Sequence, residues 1–523
     1  MSRHIRAFVG VVAALLLAGC TAFAPNGTPT TGATSGIVPG APTTAAAGGA
    51  APTTGAPAGA ESFYGQKLGW RDCGAGFVCA TASAPLDWST PADGKTITLS
   101  LIKQPAKGTK LGTLFVNPGG PGGSAVDFVR SSIGGADQTL QDHFDIVGFD
   151  PRGVGSSSAV KCLSDRQMDH YLYDPTPGVR GSAAWIAAQE AATKSLGQAC
   201  LARTGALLGH VDTGSTVSDL DMLRSVVGDT RLSYLGYSYG TLIGSLYADR
   251  FPGNVGRMVL DGVIDPASTG DELTVQQTAG FESNLNAYLH WCFTRDSKCP
   301  FTGTVADADK KIAQTLADAD VRPITNSDGR ILTANTLLTA IILPLYDSGS
   351  WQYLDYLFED VWSGSARIAF EFADQYNNRN TDGTYSSNEM IAFIAINCLD
   401  YPQNPDVAAM RAQAKKLAKI APVMGPYFSY GDIGCVGWPF PAVRTPAPVK
   451  AAGSAPILVL GTTGDPATPY ANAQHVAQEL ENGHLVTWHG NGHTAYGRSN
   501  SCVTDAVDHY LVDGTVPKND PEC

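Results

Sequence analysis

The residues Leu232-Ser-Tyr-Leu-Gly-Tyr-Ser-Tyr-Gly-Thr241 constrain the chain more than any others. Apolar residues run up to Gly236, Gly-x-Ser-x-Gly occupies Gly236 to Gly240, and the residues from Thr241 to Asp249 read as a helix. The order is strand, tight turn, helix. Neither glycine of so sharp a turn tolerates a Cβ, which would meet the strand or the helix alongside. The turn pushes the Ser238 hydroxyl out above the end of a sheet, where a nucleophile would stand. Gly-x-Ser-x-Gly by itself is a common small-residue turn, and the flanking strand and helix give it its weight.

Around this stretch strands alternate with helices. Residues 96–102 alternate apolar and polar side chains like a half-buried strand. Residues 111–117 and 144–149 are apolar runs of strand length. Pro118-Gly-Gly-Pro-Gly-Gly-Ser124 follows the first and Asp150-Pro-Arg-Gly153 the second. Residues 182–204 and 216–227 read as helices, the latter capped by Ser215 or Thr216, and 258–260 as a strand. The rhythm returns late, with strands at 455–460 and 485–489 and helices at 471–480 and 502–511. This alternation implies an α/β fold, a mainly parallel sheet with helices on both faces. Between about 266 and 449 helical stretches replace it, at 273–292, 305–317, 334–346 and 351–376. Residues 266–449 are therefore expected to form a helical lid inserted into a core of residues 61–265 and 450–523. No internal repeat is found.

A serine hydroxyl is a poor nucleophile at neutral pH and needs a base, usually a histidine whose tautomer a carboxylate fixes. Where the nucleophile sits on such an elbow, the partners follow in the order acid, then histidine, each in a loop after a strand. Asp465 lies in Gly461-Thr-Thr-Gly-Asp465-Pro and is the expected acid; His493 lies in Gly490-Asn-Gly-His493-Thr and is the expected base. His489 ends its strand, His484 precedes it, and His475 and His509 fall on helices. Asp261, which also follows a strand, is the competing acid. Thr468 either bonds back to Asp465 or merely caps its loop. The glycine-rich loop at 118–123 lacks the Gly-Lys-Ser/Thr of a phosphate loop. Beside an elbow it supplies one backbone N–H to an oxyanion, and the residue after the nucleophile supplies the other. Gly120 and Tyr239 are the expected donors, with Gly119 the near alternative to Gly120.

The chain of 523 residues carries a net charge of −13, which argues against nucleic acid as a partner. Arg3, His4 and Arg6 precede an apolar run at 7–17 that is too short to span a bilayer, so residues 1–19 read as a signal peptide. The run ends Leu17-Ala-Gly-Cys20, which resembles a bacterial lipobox and makes Cys20 the expected lipid-bearing residue. Residues 21–60 carry no charge and are almost wholly Ala, Gly, Thr and Pro, the composition of a flexible tether. The ten other cysteines imply disulfides in an exported chain. Short loops close most readily, so neighbours along the chain are expected to pair: Cys73–Cys79, Cys162–Cys200, Cys292–Cys299, Cys398–Cys435 and Cys502–Cys523. Their spacing does not suggest a zinc site.

Four stretches carry a specific resemblance: Asn117-Pro-Gly-Gly-Pro-Gly-Gly123, Gly148-Phe-Asp-Pro-Arg-Gly153, Gly236-Tyr-Ser-Tyr-Gly240 and Asp465-Pro-Ala-Thr-Pro469. They resemble the secreted tripeptidyl aminopeptidases of actinobacteria, α/β-hydrolase serine exopeptidases related to proline iminopeptidases. The likeness runs from about Trp70 to Cys523, and Ala395-Ile-Asn-Cys398-Leu-Asp400 also fits it. The His-Gly-Gly-Pro-Gly of the proline iminopeptidases is Pro118-Gly-Gly-Pro-Gly here, which sets the chain apart from a proline-only specificity. The lipobox and tether resemble those of mycobacterial cell-envelope members. The resemblance implies an α/β-hydrolase fold and a serine peptidase of the cell envelope, lipid-anchored on the extracytoplasmic face of the membrane. It would act on peptides or proteins near their free N-terminus and would need no metal or organic cofactor. An esterase or lipase on the same triad, or a catalytically silent envelope-binding lipoprotein, are the rival expectations. An exopeptidase must hold a free ammonium, best by a carboxylate from the lid. Asp400 is the expected partner and Glu282 the runner-up.

Overall fold

The structure, a computed structural model, describes residues 55–295 and 298–523. The signal segment, Cys20 and most of the expected tether lie outside these residues. The central sheet is built from β1 (Arg71–Asp72), β2 (Val78–Pro85), β3 (Thr96–Gln104), β4 (Gly112–Asn117), β5 (Phe144–Phe149), β6 (Leu232–Tyr237), β7 (Val255–Asp261), and two strands from the end of the chain. A two-stranded hairpin, β8 (Ile324–Thr325) and β9 (Ile331–Leu332), stands apart, and β10 (Ile457–Gly464) and β11 (Gly483–Asn491) complete the sheet. The order is β1-β2-β3-β5-β4-β6-β7-β10-β11. From β5 to β11 every neighbouring pair is parallel, while β1, β2 and β3 pair antiparallel at one edge. This is the α/β-hydrolase architecture.

Side-chain alternation decides which residue serves which face. Phe115, Val147, Tyr234 and Val459 point into one apolar cluster, and their chain neighbours Leu114, Ile146, Leu235 and Leu458 into another on the opposite side. The strands β4 and β5 are buried almost throughout, as parallel strands covered on both faces must be. On β3, nearer the antiparallel edge, exposed and buried residues alternate at first.

Between β7 and β10 the helices Gly270–Phe293, Val305–Val321, Ala334–Leu345, Gln352–Trp362 and Arg367–Tyr376 gather a core of their own, with Leu285, Tyr288, Ile312, Leu337, Phe358 and Phe370 buried in it. Two expected helices change here. The helix expected over 351–376 is two helices, broken where Gly364 takes a φ of +84° that helices exclude. The helix expected from 216 begins at Thr213, because Asp212 accepts the Ser215 N–H at 2.8 Å and caps it a turn earlier. Not every helix of the inserted segment joins this core. Helix Glu389–Asp400 places Ile391, Ala395 and Leu399 in the core of the α/β unit instead of the lid's own core.

Five disulfides join Cys73–Cys79, Cys162–Cys200, Cys292–Cys299, Cys398–Cys435 and Cys502–Cys523. The last ties the C-terminal tail to helix Ser501–Asp513. The tail then lies along the edge strand β11, where Thr487 and Cys523 share a backbone hydrogen bond of 2.7 Å. An otherwise open strand edge is thereby covered.

Candidate active site

The loops that matter leave the carboxyl ends of the parallel strands, where open α/β sheets bind ligands. At the end of β6, Ser238 takes φ +53° and ψ −123°, a strained backbone for a residue with a side chain. The crowding expected of its glycines is present. A Cβ on Gly236 would stand 2.6 Å from the Gly240 carbonyl oxygen, and one on Gly240 2.8 Å from that of Asn117.

At the end of β10, Asp465 is almost wholly buried, and both its oxygens lie 2.9 Å from His493 Nδ1. Four donors hold the carboxylate in place. The Ala467 and Thr468 N–H groups bond Oδ1 at 2.9 and 2.8 Å, and the Thr468 hydroxyl and Thr494 N–H bond Oδ2 at 3.0 and 3.1 Å. Thr468 thus bonds the carboxylate directly. His493 follows β11; its Nδ1 faces Asp465, and its buried Nε2 has no hydrogen-bond partner.

Asp261, the competing acid, ends the neighbouring strand β7 and does something else. Its carboxylate accepts the Ala495 N–H at 2.9 Å and the Tyr496 N–H at 2.8 Å, so it grips the loop just beyond His493. Complete burial pushes its carboxyl up to about 7, against the pull of those two N–H groups.

The glycine-rich loop lies against the elbow: a Cβ on Gly119 would come within 2.8 Å of the Ser238 Cβ and 3.0 Å of the Tyr239 nitrogen. The Gly119 N–H is engaged by the Asn117 side chain at 3.0 Å, whereas Gly120 lines the cavity beside Ser238. That favours Gly120 over Gly119 as donor. Tyr239 opens helix Tyr239–Arg250, and its N–H has no carbonyl one turn earlier to bond. Asp150 fastens the far end of the loop, accepting the Ser124 hydroxyl at 2.7 Å and the Val126 N–H at 3.0 Å.

Ser238, His493 and Gly120 line one cavity of about 1550 Å³, larger than the usual small-ligand pocket. The inserted segment roofs it with Phe281, Tyr346, Tyr376 and Phe393. It also touches the loops that carry Asp465, His493 and Gly120. Asn284 donates to the Gly464 carbonyl at 2.7 Å, the Tyr346 carbonyl accepts the His493 N–H at 2.8 Å, and the Glu389 carbonyl oxygen would lie 2.5 Å from a Cβ on Gly122.

Asp400 is not in this cavity, which corrects the expectation placed on it. It ends its helix fully buried, and its carboxylate accepts both the N–H and the hydroxyl of Thr213. The Thr213 oxygen in turn accepts the Tyr239 hydroxyl at 2.6 Å. A carboxylate so enclosed cannot meet a substrate's ammonium; it braces the residue after Ser238 instead. Glu282 is likewise spent on the Val423 and Met424 N–H groups, at 3.0 and 2.9 Å. The sequence reading missed Asp261's true role, Asn388 and Glu389. Asn388 binds Gly153 and Gly155, more than 230 residues away, so no local pattern announces it. Elsewhere, Asp265, His475 and Glu479 bring possible ligand atoms within 4.8 Å of one another, but the imidazole bridges both carboxylates itself, at 2.7 and 3.3 Å.

Comparison with known proteins places these features in a lineage. Residues 421–523 match the family model described as TAP-like protein. Serine protease Hip1 of Mycobacterium tuberculosis is 35% identical over 485 residues, which cover 89% of this chain and 92% of that protein. Carboxylesterase B of Mycobacterium tuberculosis is 38% identical across 85% of this chain and 86% of its own. The tripeptidyl aminopeptidase of Streptomyces coelicolor is 29% identical across 87% and 86%.

Proposed function

The chain belongs to the TAP-like family of α/β-hydrolases together with serine protease Hip1 and carboxylesterase B, and is a serine hydrolase; from that premise we propose that it is a peptidase of the cell envelope, cutting peptides near their free N-terminus with Ser238, His493 and Asp465. The observation that carries the assignment is the state of His493. Its Nδ1 is committed to a carboxylate held by four donors, which leaves Nε2 as the free basic nitrogen in a cavity shared with Ser238.

Ser238 Oγ attacks the carbonyl carbon while His493 Nε2 takes the hydroxyl proton. The oxyanion that forms is met by the N–H groups of Gly120 and Tyr239. Collapse breaks the C–N bond, and the departing amine leaves with the proton from Nε2. Water then attacks the acyl-enzyme, giving its proton to Nε2, and hydrolysis returns the proton to Ser238. Asp465 keeps the proton on Nδ1 throughout and stabilises the imidazolium.

Ser238→Ala should leave a folded protein with peptide turnover reduced by roughly 10⁴-fold or more. Fluorophosphonate labelling followed by peptide mapping should find the label on Ser238; a label on another serine sinks the assignment. An esterase is the second reading, favoured by the carboxylesterase among the relatives. Digestion of a defined peptide mixture beside short acyl esters, with mass spectrometry of the products, separates the two. Lipid attachment at Cys20 completes the proposal, and the five disulfides support it, since such bonds persist in oxidising compartments outside the cytoplasm. No helix among the described residues is long and apolar enough to cross a membrane.

A further inference from the structure

With Asp400 sealed away, the carboxylates left within reach of a peptide's amino end are those on the cavity wall. Its cations are already matched. Arg367 bonds Glu371 at 2.7 Å, and Arg379 grips Asp169 at 2.7 and 2.8 Å. Asp374 is matched too, by both terminal nitrogens of Arg330, at 2.5 and 2.7 Å. Glu359 lies exposed at the surface. Asp360 accepts the Ile368 N–H at 3.0 Å and lies 4.0 Å from Arg367. Glu389 differs from all of these. It is partly buried on the wall, and its hydrogen-bond partner is a neutral amide, Asn378 Nδ2, at 2.8 Å from Oε2.

Its position is rigid and close to the chemistry. Asn388, the preceding residue, accepts the Gly155 N–H at 2.9 Å and donates to the Gly153 and Val160 carbonyls at 2.9 and 3.0 Å. The Glu389 carbonyl packs on Gly122, two residues beyond Gly120. Tyr346, whose ring lies 5.5 Å from that of His493, lines the same cavity as Glu389, as does Tyr376. Burial without a cation holds the Glu389 carboxyl above the ordinary range. An arriving ammonium would supply the missing charge and form a strong charge-assisted hydrogen bond.

We propose that Glu389 receives the α-ammonium of the substrate, so that its distance from Ser238 sets how many residues are released per cut. The inference rests on the peptidase function proposed above. It makes Glu389 a specificity determinant that the reaction chemistry itself does not use.

The test compares a tripeptide p-nitroanilide with its N-acetylated form, in wild type, Glu389→Gln and Glu389→Asp. Turnover of a p-nitrophenyl acyl ester, which has no ammonium to bind, reports whether the triad is assembled. Wild type should prefer the free amine by about tenfold or more. Glu389→Gln should bring the ratio of kcat/KM close to one, chiefly through a higher KM for the free peptide. Glu389→Asp keeps the charge one methylene further back and should restore part of the preference. If wild type cleaves only the ester, or cleaves both peptides equally, the proposed function falls and Glu389 with it. If wild type discriminates and Glu389→Gln discriminates as well, the function stands and the role of Glu389 is overturned. Should Glu389→Gln lose ester turnover through misfolding, Glu389→Asp decides: an unchanged preference overturns the role, and a weakened one supports it.

Discussion

Asp261, Asp400 and Asp465 are all buried aspartates, and their partners set how each is used. Asp465 faces an imidazole, Asp261 two backbone N–H groups, and Asp400 a threonine. Burial pushes the Asp400 carboxyl up to about 6, although the two Thr213 bonds work the other way. Unfolded, it titrates near 4. The folded chain therefore holds a proton between those values that the unfolded chain releases. The stabilisation this brings is complete below about pH 4 and is lost as pH rises through about 6. Asp400→Asn removes that dependence while filling the same space. Its Tm relative to wild type should be highest at pH 7 and should decline as pH is lowered to 4, read by scanning fluorimetry. A difference that stays flat over this range would show that the carboxyl is ionised throughout.

Helix Glu389–Asp400 links the lid to the core at both of its ends. Its start is pinned by Asn388 to the loop after β5, and its end by Asp400 to the start of helix Thr213–Val226. Between them its apolar face is buried in the main core, and Cys398–Cys435 ties it to the segment that follows. Such a helix behaves as part of the scaffold, and the oxyanion loop rests on it. Asn388→Ala removes the partner of the Gly155 N–H and the Val160 carbonyl, while the Gly153 carbonyl keeps the Val160 N–H at 2.8 Å. That should cost about 1–3 kcal/mol of stability, measured by urea denaturation. A shifted helix start would displace the loop carrying Gly120, so kcat/KM should fall roughly 10- to 100-fold in the protein that remains folded. A loss of stability with full activity would show that the loop holds its place without this helix.

At the scale of the whole molecule, the described residues form an α/β core with a cluster on each face of its sheet and an inserted segment with a cluster of its own. The disulfides do not bridge the lid's own helical core to the sheet; each closes a short stretch of chain. The two bodies are joined by packing and by the hydrogen bonds that reach the loops carrying Asp465 and His493. At this scale the remaining question is where the enzyme works. If Cys20 carries lipid, Cys20→Ser should move the protein from the membrane fraction to the medium, or block its processing, as read by fractionation and immunoblot. A variant that is processed normally and stays with the membrane would count against the anchor.

The parts legible from sequence alone are those set by local chain geometry. The elbow is legible because two glycines and a serine between a strand and a helix leave the backbone few alternatives. Asp465 and His493 are nameable as candidates because each follows its own strand, in chain order, and the structure brings them within 2.9 Å of each other. The cysteine pairs are close along the chain, so closing them orders few residues. What the sequence could not decide involves partners distant in the chain. Asp261 also follows a strand, and the Ala495 and Tyr496 N–H groups that it bonds instead of the imidazole lie more than 230 residues away. Glu389 and Asp400 occupy the two ends of one helix, about 16 Å apart at 1.5 Å per residue. Either could have faced the cavity. The docking of the helix start onto Gly122 and Gly155 settled it, leaving Glu389 on the cavity wall and burying Asp400 against Thr213. That choice belongs to packing between segments more than 180 residues apart, and no local periodicity encodes it.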